Sequence, residues 1–409
     1  MEGKRLLHKL GLTNFLSYGP EGVEIELEPL NVLIGPNGSG KSNFIQALSL
    51  LKAAPGEVSD PIRSGGGMPQ WPYKGGGGSP AIDFEIRATV SYPDALPLRY
   101  RLHLTRVSQG LELLEETIED ETITGATERE HRVYYEYRNG EPAISALEIS
   151  SSSGVPDDKH GEVTRRVVHP RDISRSKSIL AQRKDPDKYP ELTYLGHVLS
   201  EIRLFRSCSL GPDSLLLGPQ RADQPSSFLS EDGSNLGMVL NRLLGHLPVK
   251  KRILAELKRF CDPIEDISQR VEANTIETSF HERGFMGATP SARLSDGTLR
   301  YLCLLTILCH PNPPPLICIE DPEIALHPDA LPRLADLLVE ASEKSQLVVT
   351  THSDVLVSAL SSVPEAVVVC ERDDYGSHVR RLDATSLEEW LRKYSLGELW
   401  MSGEIGGNP

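Results

Sequence analysis

Residues 35–42 read Gly-Pro-Asn-Gly-Ser-Gly-Lys-Ser, and no other stretch narrows the possible folds so far. The octet fits the spacing G-x-x-x-x-G-K-[ST]. An apolar run at 30–34 reads as a strand leading into it, and an amphipathic run at 43–53 reads as the helix that follows. Small residues let successive backbone N–H groups converge on an anion, while the helix aims its positive end at the same point. Asn37, Gly38, Ser39 and Gly40 are therefore candidate phosphate-binding residues. Lys41 is placed to neutralise β- and γ-phosphate oxygens, and Ser42 to ligate Mg²⁺. A bare glycine turn would need neither the lysine nor the hydroxyl.

The rest of the chain supplies the layers around this unit. Residues 5–18 and 22–33 read as two short strands, the second alternating Val23, Ile25 and Leu27 against three glutamates. Residues 54–80 are rich in glycine and proline and are expected to be loop throughout. From 81 to 150 the pattern has a period of two, with Asn139-Gly140 as a hairpin turn, which predicts an antiparallel sheet. A polar connector at 151–165 leads to helical spacing across 171–260, clearest at Leu192, Leu195 and Leu199 and again at Ile253 and Leu257. Strand character returns at 264–281. Helical stretches then alternate with apolar strands at 316–319, 347–350 and 366–370, the pattern of a mainly parallel sheet covered by helices. There is no internal repeat and no sustained heptad, so a long coiled-coil arm is not expected.

Three further motifs carry chemistry. The strand Leu-Ile-Cys-Ile ends in Glu320-Asp321-Pro322-Glu323. Acids at the carboxyl edge of a buried strand stand where open α/β sheets bind ligands. One of the adjacent pair can hold Mg²⁺ while the next positions and deprotonates an attacking water. Ser295-Asp-Gly297 precedes an apolar helix. Serine is a common helix cap, and the same helix start is also suited to meeting a γ-phosphate. Thr351-His352-Ser353 ends the strand after the acidic one, which places His352 on a neighbouring strand end.

In the order GPNGSGKS, LSDGT, IEDPE, ALHP and TTHS, these motifs resemble those of the ABC-type ATPase heads of the SMC, RecF and OLD (overcoming lysogenization defect) families. The opening LGLTNFLSYGPEGVEIELEPLNVLIG is similar to theirs. The closing YSLGELWMSGEIGGNP resembles that of OLD-like AAA-family ATPases of bacterial defence loci. The resemblance covers roughly 1–100 and 285–409. It implies an α/β fold: an ABC-type head, with a mixed sheet plus an antiparallel β subdomain and a mainly helical insertion. The expected divisions are 1–165 for the first lobe, 166–263 for the insertion and 264–409 for the second lobe. The resemblance further implies a head-to-tail homodimer closed around two ATP molecules with Mg²⁺. Ser295 and Gly297 of one protomer would reach the γ-phosphate held at Lys41 and Ser42 of the other. Glu320 then matches the Walker B acid and metal ligand, Asp321 the catalytic base, His352 the switch histidine and Ala325–His327 the segment crossing the interface. For the Q-loop glutamine the candidate is Gln70. Most such heads read Asp-Glu where this chain reads Glu320-Asp321. The base is one methylene shorter, which implies slow hydrolysis suited to a switch.

Composition limits the partners. The net charge of −15 does not draw nucleic acid to the surface as a whole, so DNA would need a local basic patch. Residues 165–206 carry ten basic against five acidic residues, and Lys250, Lys251, Arg252, Lys258 and Arg259 flank a later helix. Residues 112–130 are acidic. No apolar run nears the roughly 20 residues of a membrane span, the N-terminus lacks a secretory pattern, and the six cysteines form no CxxC pair. A cytoplasmic protein with free thiols is expected. Residues 353–409 leave little room for the Toprim nuclease of full-length OLD proteins, and Glu371, Asp373 and Asp374 read as a strand exit into a turn. Two functions follow: an ATPase sensor or scaffold for a separate nuclease or toxin in phage defence, or a RecF- or SMC-like DNA-maintenance ATPase that binds DNA directly.

Overall fold

The computed structural model of the protein describes residues 3–75, 80–108, 110–121, 132–138, 140–148, 162–167, 172–206 and 218–408. Asn139 of the expected hairpin turn, residues 151–161 of the expected connector at 151–165, Arg129 with its flanking glutamates, Arg171 and Cys208 lie outside them. The connector's last residues, 162–165, are strand instead. The first strands are β1 (Leu7–Thr13), β2 (Val23–Glu26) and β3 (Leu30–Ile34). They are followed by α1 (Lys41–Ala53) and α2 (Ser59–Ser64). The period-two region forms β4 (Asp83–Val90), β5 (Leu98–Val107), β6 (Gly110–Asp120), β7 (Val133–Arg138) and β8 (Glu141–Glu148), with β9 (Glu162–Val167) beyond. These six join β1 and β2 in one eight-stranded antiparallel sheet, ordered β2-β1-β4-β5-β6-β7-β8-β9. One face alternates buried residues such as Phe84, Ile86, Leu102 and Leu104. The other is a ladder of opposite charges, with Arg101 between Glu85 and Glu115, and Arg99 against Glu119 at 3.4 Å.

The segment read as helical contains α3 (Ile179–Gln182), α4 (Pro190–Ser200), α5 (Leu236–Leu244) and α6 (Leu247–Phe260). It also contributes β10 (Arg203–Phe205) to the central sheet and β11 (Gln220–Arg221) to a small one. The described part of 166–263 thus reaches the central sheet, where Leu204 and Phe205 pair with Cys318 and Ile319. A three-residue strand has no periodicity to read. The small sheet adds β12 (Ile264–Glu272), β13 (Thr275–Glu282) and β14 (Ala288–Pro290). Then come α7 (Asp296–Leu308), β15 (Leu316–Glu320), α8 (Leu331–Ser342), β16 (Gln346–Thr350), α9 (Asp354–Ala359), β17 (Val367–Asp373), β18 (Gly376–Arg381), α10 (Ala384–Leu391) and α11 (Leu396–Met401).

The central sheet runs β10-β15-β16-β3-β17-β18, parallel except for the edge strand β18. Its strands read as continuous apolar runs because both faces are covered. Leu33, Cys318, Val348 and Val368 pack toward α1 and the antiparallel sheet. Val32, Ile317, Val349 and Val369 pack toward α7, α8 and α11. Gln346, fully buried, joins the two sheets: its Oε1 accepts from the Leu6 and Leu7 N–H groups, and its Nε2 donates to the Leu7 and Glu28 carbonyls. The glycine-rich stretch at 54–80 is not loop throughout, as expected, but holds α2 and a 3₁₀ turn at Met68–Gln70. Ile62 and Trp71 anchor it, Trp71 stacking on Phe84 and meeting Phe15 edge-on. Among the described residues, no helix is long and apolar enough to cross a membrane.

Candidate nucleotide-binding site

Strand β3 lies between β16 and β17 and delivers residues 35–40 to the carboxyl edge of the parallel sheet. Gly35 and Gly40 take φ of 143° and 110°. A Cβ on Gly35 would sit 2.1 Å from the Cys370 carbonyl, and one on Gly40 would sit 2.6 Å from Ser377 Oγ, so side chains are excluded there by space as well as by φ. Gly38 is open, with nothing within 4 Å of an added Cβ. The loop is braced from outside. Tyr18, fully buried, donates to the Gly40 carbonyl (3.0 Å), and Ser17 Oγ receives Asn43 Nδ2 and Ser377 Oγ at 2.7 Å each.

Lys41 begins α1 with its ammonium curled onto the loop, donating to the Gly35 (2.6 Å) and Pro36 (3.0 Å) carbonyls. Burial pulls its pKa down, while Cys370, Asp321 and Glu323 act the other way. Ser39 Oγ is buried without a partner. An orphaned hydroxyl, an open glycine and a cation held only by its own loop fit an arriving polyphosphate.

Across the edge, β15 ends at Glu320, in register with Thr350 of β16. Ser42 faces the Glu320 carboxylate, and Arg206 Nε lies 3.5 Å from it. Burial raises the Glu320 pKa against the opposing charge of Arg206 and the downward pull of Ser42. A hydroxyl and a carboxylate are hard oxygen donors suited to Mg²⁺. Among the described residues no three His, Cys, Asp or Glu side chains cluster as a metal site, so such an ion would need phosphate oxygens as well.

Asp321 adopts φ 45°, a left-handed value that Asp tolerates better than most side chains. Its N–H donates to the Thr350 carbonyl (3.1 Å), and Thr350 Oγ1 donates to its Oδ1 (3.1 Å). His352 follows on the same strand end, its ring exposed and its N–H donating to Glu323 Oε1 (2.7 Å). Glu320, Asp321, Ser42, Lys41 and the His352 backbone thus gather at one sheet edge.

Ser295 and Gly297 stand at the start of α7, which meets the acidic turn. Ser295 is exposed and caps α7, accepting the Thr298 N–H at 3.2 Å. Gly297 abuts the acidic turn, where an added Cβ would lie 2.5 Å from the Ala325 carbonyl. Among the described residues no hydrogen bond joins either to the loop at 35–42. Gln70 does not approach the acids; its side chain receives Lys74 on the surface. The residue that does reach them is Arg206, at the end of β10 beside the acidic strand. Glu323 is the other side chain the sequence left without a role. Asp373 makes a turn, accepting the Tyr375 (2.7 Å) and Gly376 (3.0 Å) N–H groups.

A cleft of about 560 Å³ adjoins the loop, lined by Pro36–Ser39, Tyr73 and Arg372–Asp374. A larger hollow, about 910 Å³, runs along Gln46, Ser49 and Lys52 of α1 and meets the site only at Arg206. The smaller one adjoins the loop glycines, and neither is lined by Lys41, Ser42, Glu320 or Asp321.

No curated protein matches the chain by sequence. Solved structures similar in fold include the Smc head bound to the C-winged helix domain of ScpA (TM-score 0.56, 16% identity, 93% of this chain and 99% of that one). Another is the Smc head with an extended coiled coil bound to the C-terminal domain of ScpA from Pyrococcus furiosus (TM-score 0.54, 14% identity, 95% of this chain and 100% of that one). The mixed α/β architecture is thus that of an SMC-type ATPase head. The profile of one family matches residues 30–358, from β3 through the acidic strand to α9. The chain therefore belongs to the AAA family described as "AAA domain, putative AbiEii toxin, Type IV TA system".

Proposed function

We propose that the protein binds ATP with Mg²⁺, closes into a homodimer around it and hydrolyses it slowly, acting as a switch or scaffold for a separate effector such as a nuclease or toxin in phage defence. The observation that carries this reading is the shared sheet edge: β3 and β15 flank β16 in parallel, and Ser42 at the end of the glycine loop faces Glu320 at the end of the acidic strand. When bound, Mg²⁺ would neutralise developing charge on the phosphates. Ser42 and Glu320 would hold it, and Lys41 would turn from its loop carbonyls to the phosphates. Asp321, steadied by Thr350, would orient the water and take its proton. Ser295 caps its own helix and makes no hydrogen bond to the loop at 35–42 among the described residues, which is consistent with completion of the site by a second copy. Wild-type turnover is expected below ~10 s⁻¹, the typical enzyme median. Lys41→Ala should abolish binding of a fluorescent ATP analogue. A faster rate, or binding that survives Lys41→Ala, would contradict the reading.

Charge pairing weakens the case for DNA, since much of the expected basic surface is neutralised within the chain. Within the expected basic surface, Lys188 pairs with Asp185 (3.6 Å), Arg203 with Glu201 (3.8 Å), Arg206 with Glu320, and Lys177 with Glu57. Lys250, Arg252 and Arg259 likewise meet Asp266, Glu340 and Glu256. The Smc heads of similar fold are bound to ScpA domains, which is consistent with a head that holds a protein. Duplex DNA should therefore bind weakly, without ATP dependence. Tight ATP-dependent binding that falls steeply with salt would favour the DNA-maintenance alternative.

A further inference from the structure

Glu323 stands three residues past Glu320, and the left-handed Asp321 decides where it points. Pro322 follows Asp321, and the turn closes through the Ile324 N–H to the Asp321 carbonyl (3.2 Å). This reversal carries Glu323 back to the end of β16. There Oε1 accepts both the Thr351 hydroxyl (2.7 Å) and the His352 N–H (2.7 Å). Thr351 Oγ1 in turn accepts the Ser353 N–H (3.0 Å), and Ser353 caps α9 by receiving the Leu356 N–H (3.2 Å). One carboxylate oxygen thus fixes the run 351–353 that carries the histidine. The other, Oε2, is buried without a partner. Burial pushes the carboxyl pKa up, opposed by the two bonds to the strand end. A half-satisfied buried carboxyl is costly and calls for an explanation.

We propose that Glu323 is a positioning residue for the hydrolysis described above: its Oε1 locks the strand end bearing His352 to the acidic turn bearing Asp321. The inference rests on that reading of the site. With Asp321 short and tied to Thr350, alignment depends on the two strand ends keeping their spacing. The role needs an acceptor at Oε1 and no proton transfer, so an amide can fill it.

Glu323→Gln keeps the acceptor and Glu323→Ala removes it. Hydrogen exchange of the His352 amide, read on the full chain without nucleotide, should speed up about tenfold or more in the Ala variant and stay near wild type in the Gln variant. Turnover should fall about 10- to 100-fold in kcat for Ala at unchanged KM for ATP. It should recover to within about threefold of wild type for Gln. A Gln variant as slow as Ala would make Glu323 a proton acceptor and overturn the proposal. Unchanged exchange in the Ala variant would overturn it too. Melting temperatures separate both outcomes from misfolding. A wild-type protein that binds no ATP would defeat the proposed function, while the exchange experiment would still decide the lock.

Discussion

Glu116 shows how a single buried side chain can report on the fold. It lies on β6, fully buried, and accepts from Tyr100 Oη (2.8 Å), Ser178 Oγ (2.5 Å) and the Ile179 N–H (2.9 Å), so it holds the start of α3 against the antiparallel sheet. Burial outweighs these bonds and raises its pKa from 4.5 to about 7. Tyr135 also faces it, and Arg183 lies near that tyrosine. For an acid raised by folding, the native state binds more protons than the unfolded one between those two values. Its contribution to stability therefore falls as pH rises through that window and is level above it. The melting temperature of the wild type should drop relative to Glu116→Gln from pH 4.5 to about 7. A constant difference, or one of opposite sign, would contradict the assignment. The loop side chains were legible in the sequence because Asn37 to Ser42 act as neighbours on one short stretch. Arg206 and Glu323 were not. One depends on a strand pairing with residues over a hundred positions away, the other on the φ of Asp321.

Among the elements, β16 is one link between the two sheets, beside the contact of β18 with β2. Gln346 satisfies two N–H groups and two carbonyls from the N-terminal segment, all at a fully buried position. Gln346→Ala leaves the Leu6 and Leu7 N–H groups unpaired, at about 1–3 kcal/mol for each one that finds no new partner, while the Glu28 carbonyl keeps Asn31 Nδ2. A loss of about 3 kcal/mol is expected in urea unfolding. A change under about 1 kcal/mol would mean the sheets are held mainly by apolar packing. Most strands of the two sheets were legible from period and apolar runs, but β9, in a stretch that reads as a polar connector, and the edge strand β18 were not. The helix α2 was hidden by the composition around it: Asp60, Pro61 and a single buried Ile62 fold where glycine and proline dominate. The pairing of β10 with the acidic strand was hidden by its three-residue length.

For the molecule as a whole, the start of α7 and the acidic turn are joined directly. Arg300 of α7, buried, donates to the carbonyls of Glu320 (3.3 Å) and Asp321 (3.2 Å), and Gly297 rests on Ala325. The helix start that would serve a partner's ATP is therefore fastened to the acids that would serve its own. Such an arrangement suits a closed dimer, in which each site contains parts of both chains. The direct test is the mass in solution of Asp321→Asn with and without Mg²⁺-ATP. Asn accepts the left-handed backbone at 321 and removes the base, so the ATP state should persist. The mass is expected to rise from that of one 45.0 kDa chain to that of two when Mg²⁺-ATP is added, and to stay at one chain when Lys41→Ala is combined with it. A variant that binds ATP yet keeps the same mass with and without it would contradict the shared-site account.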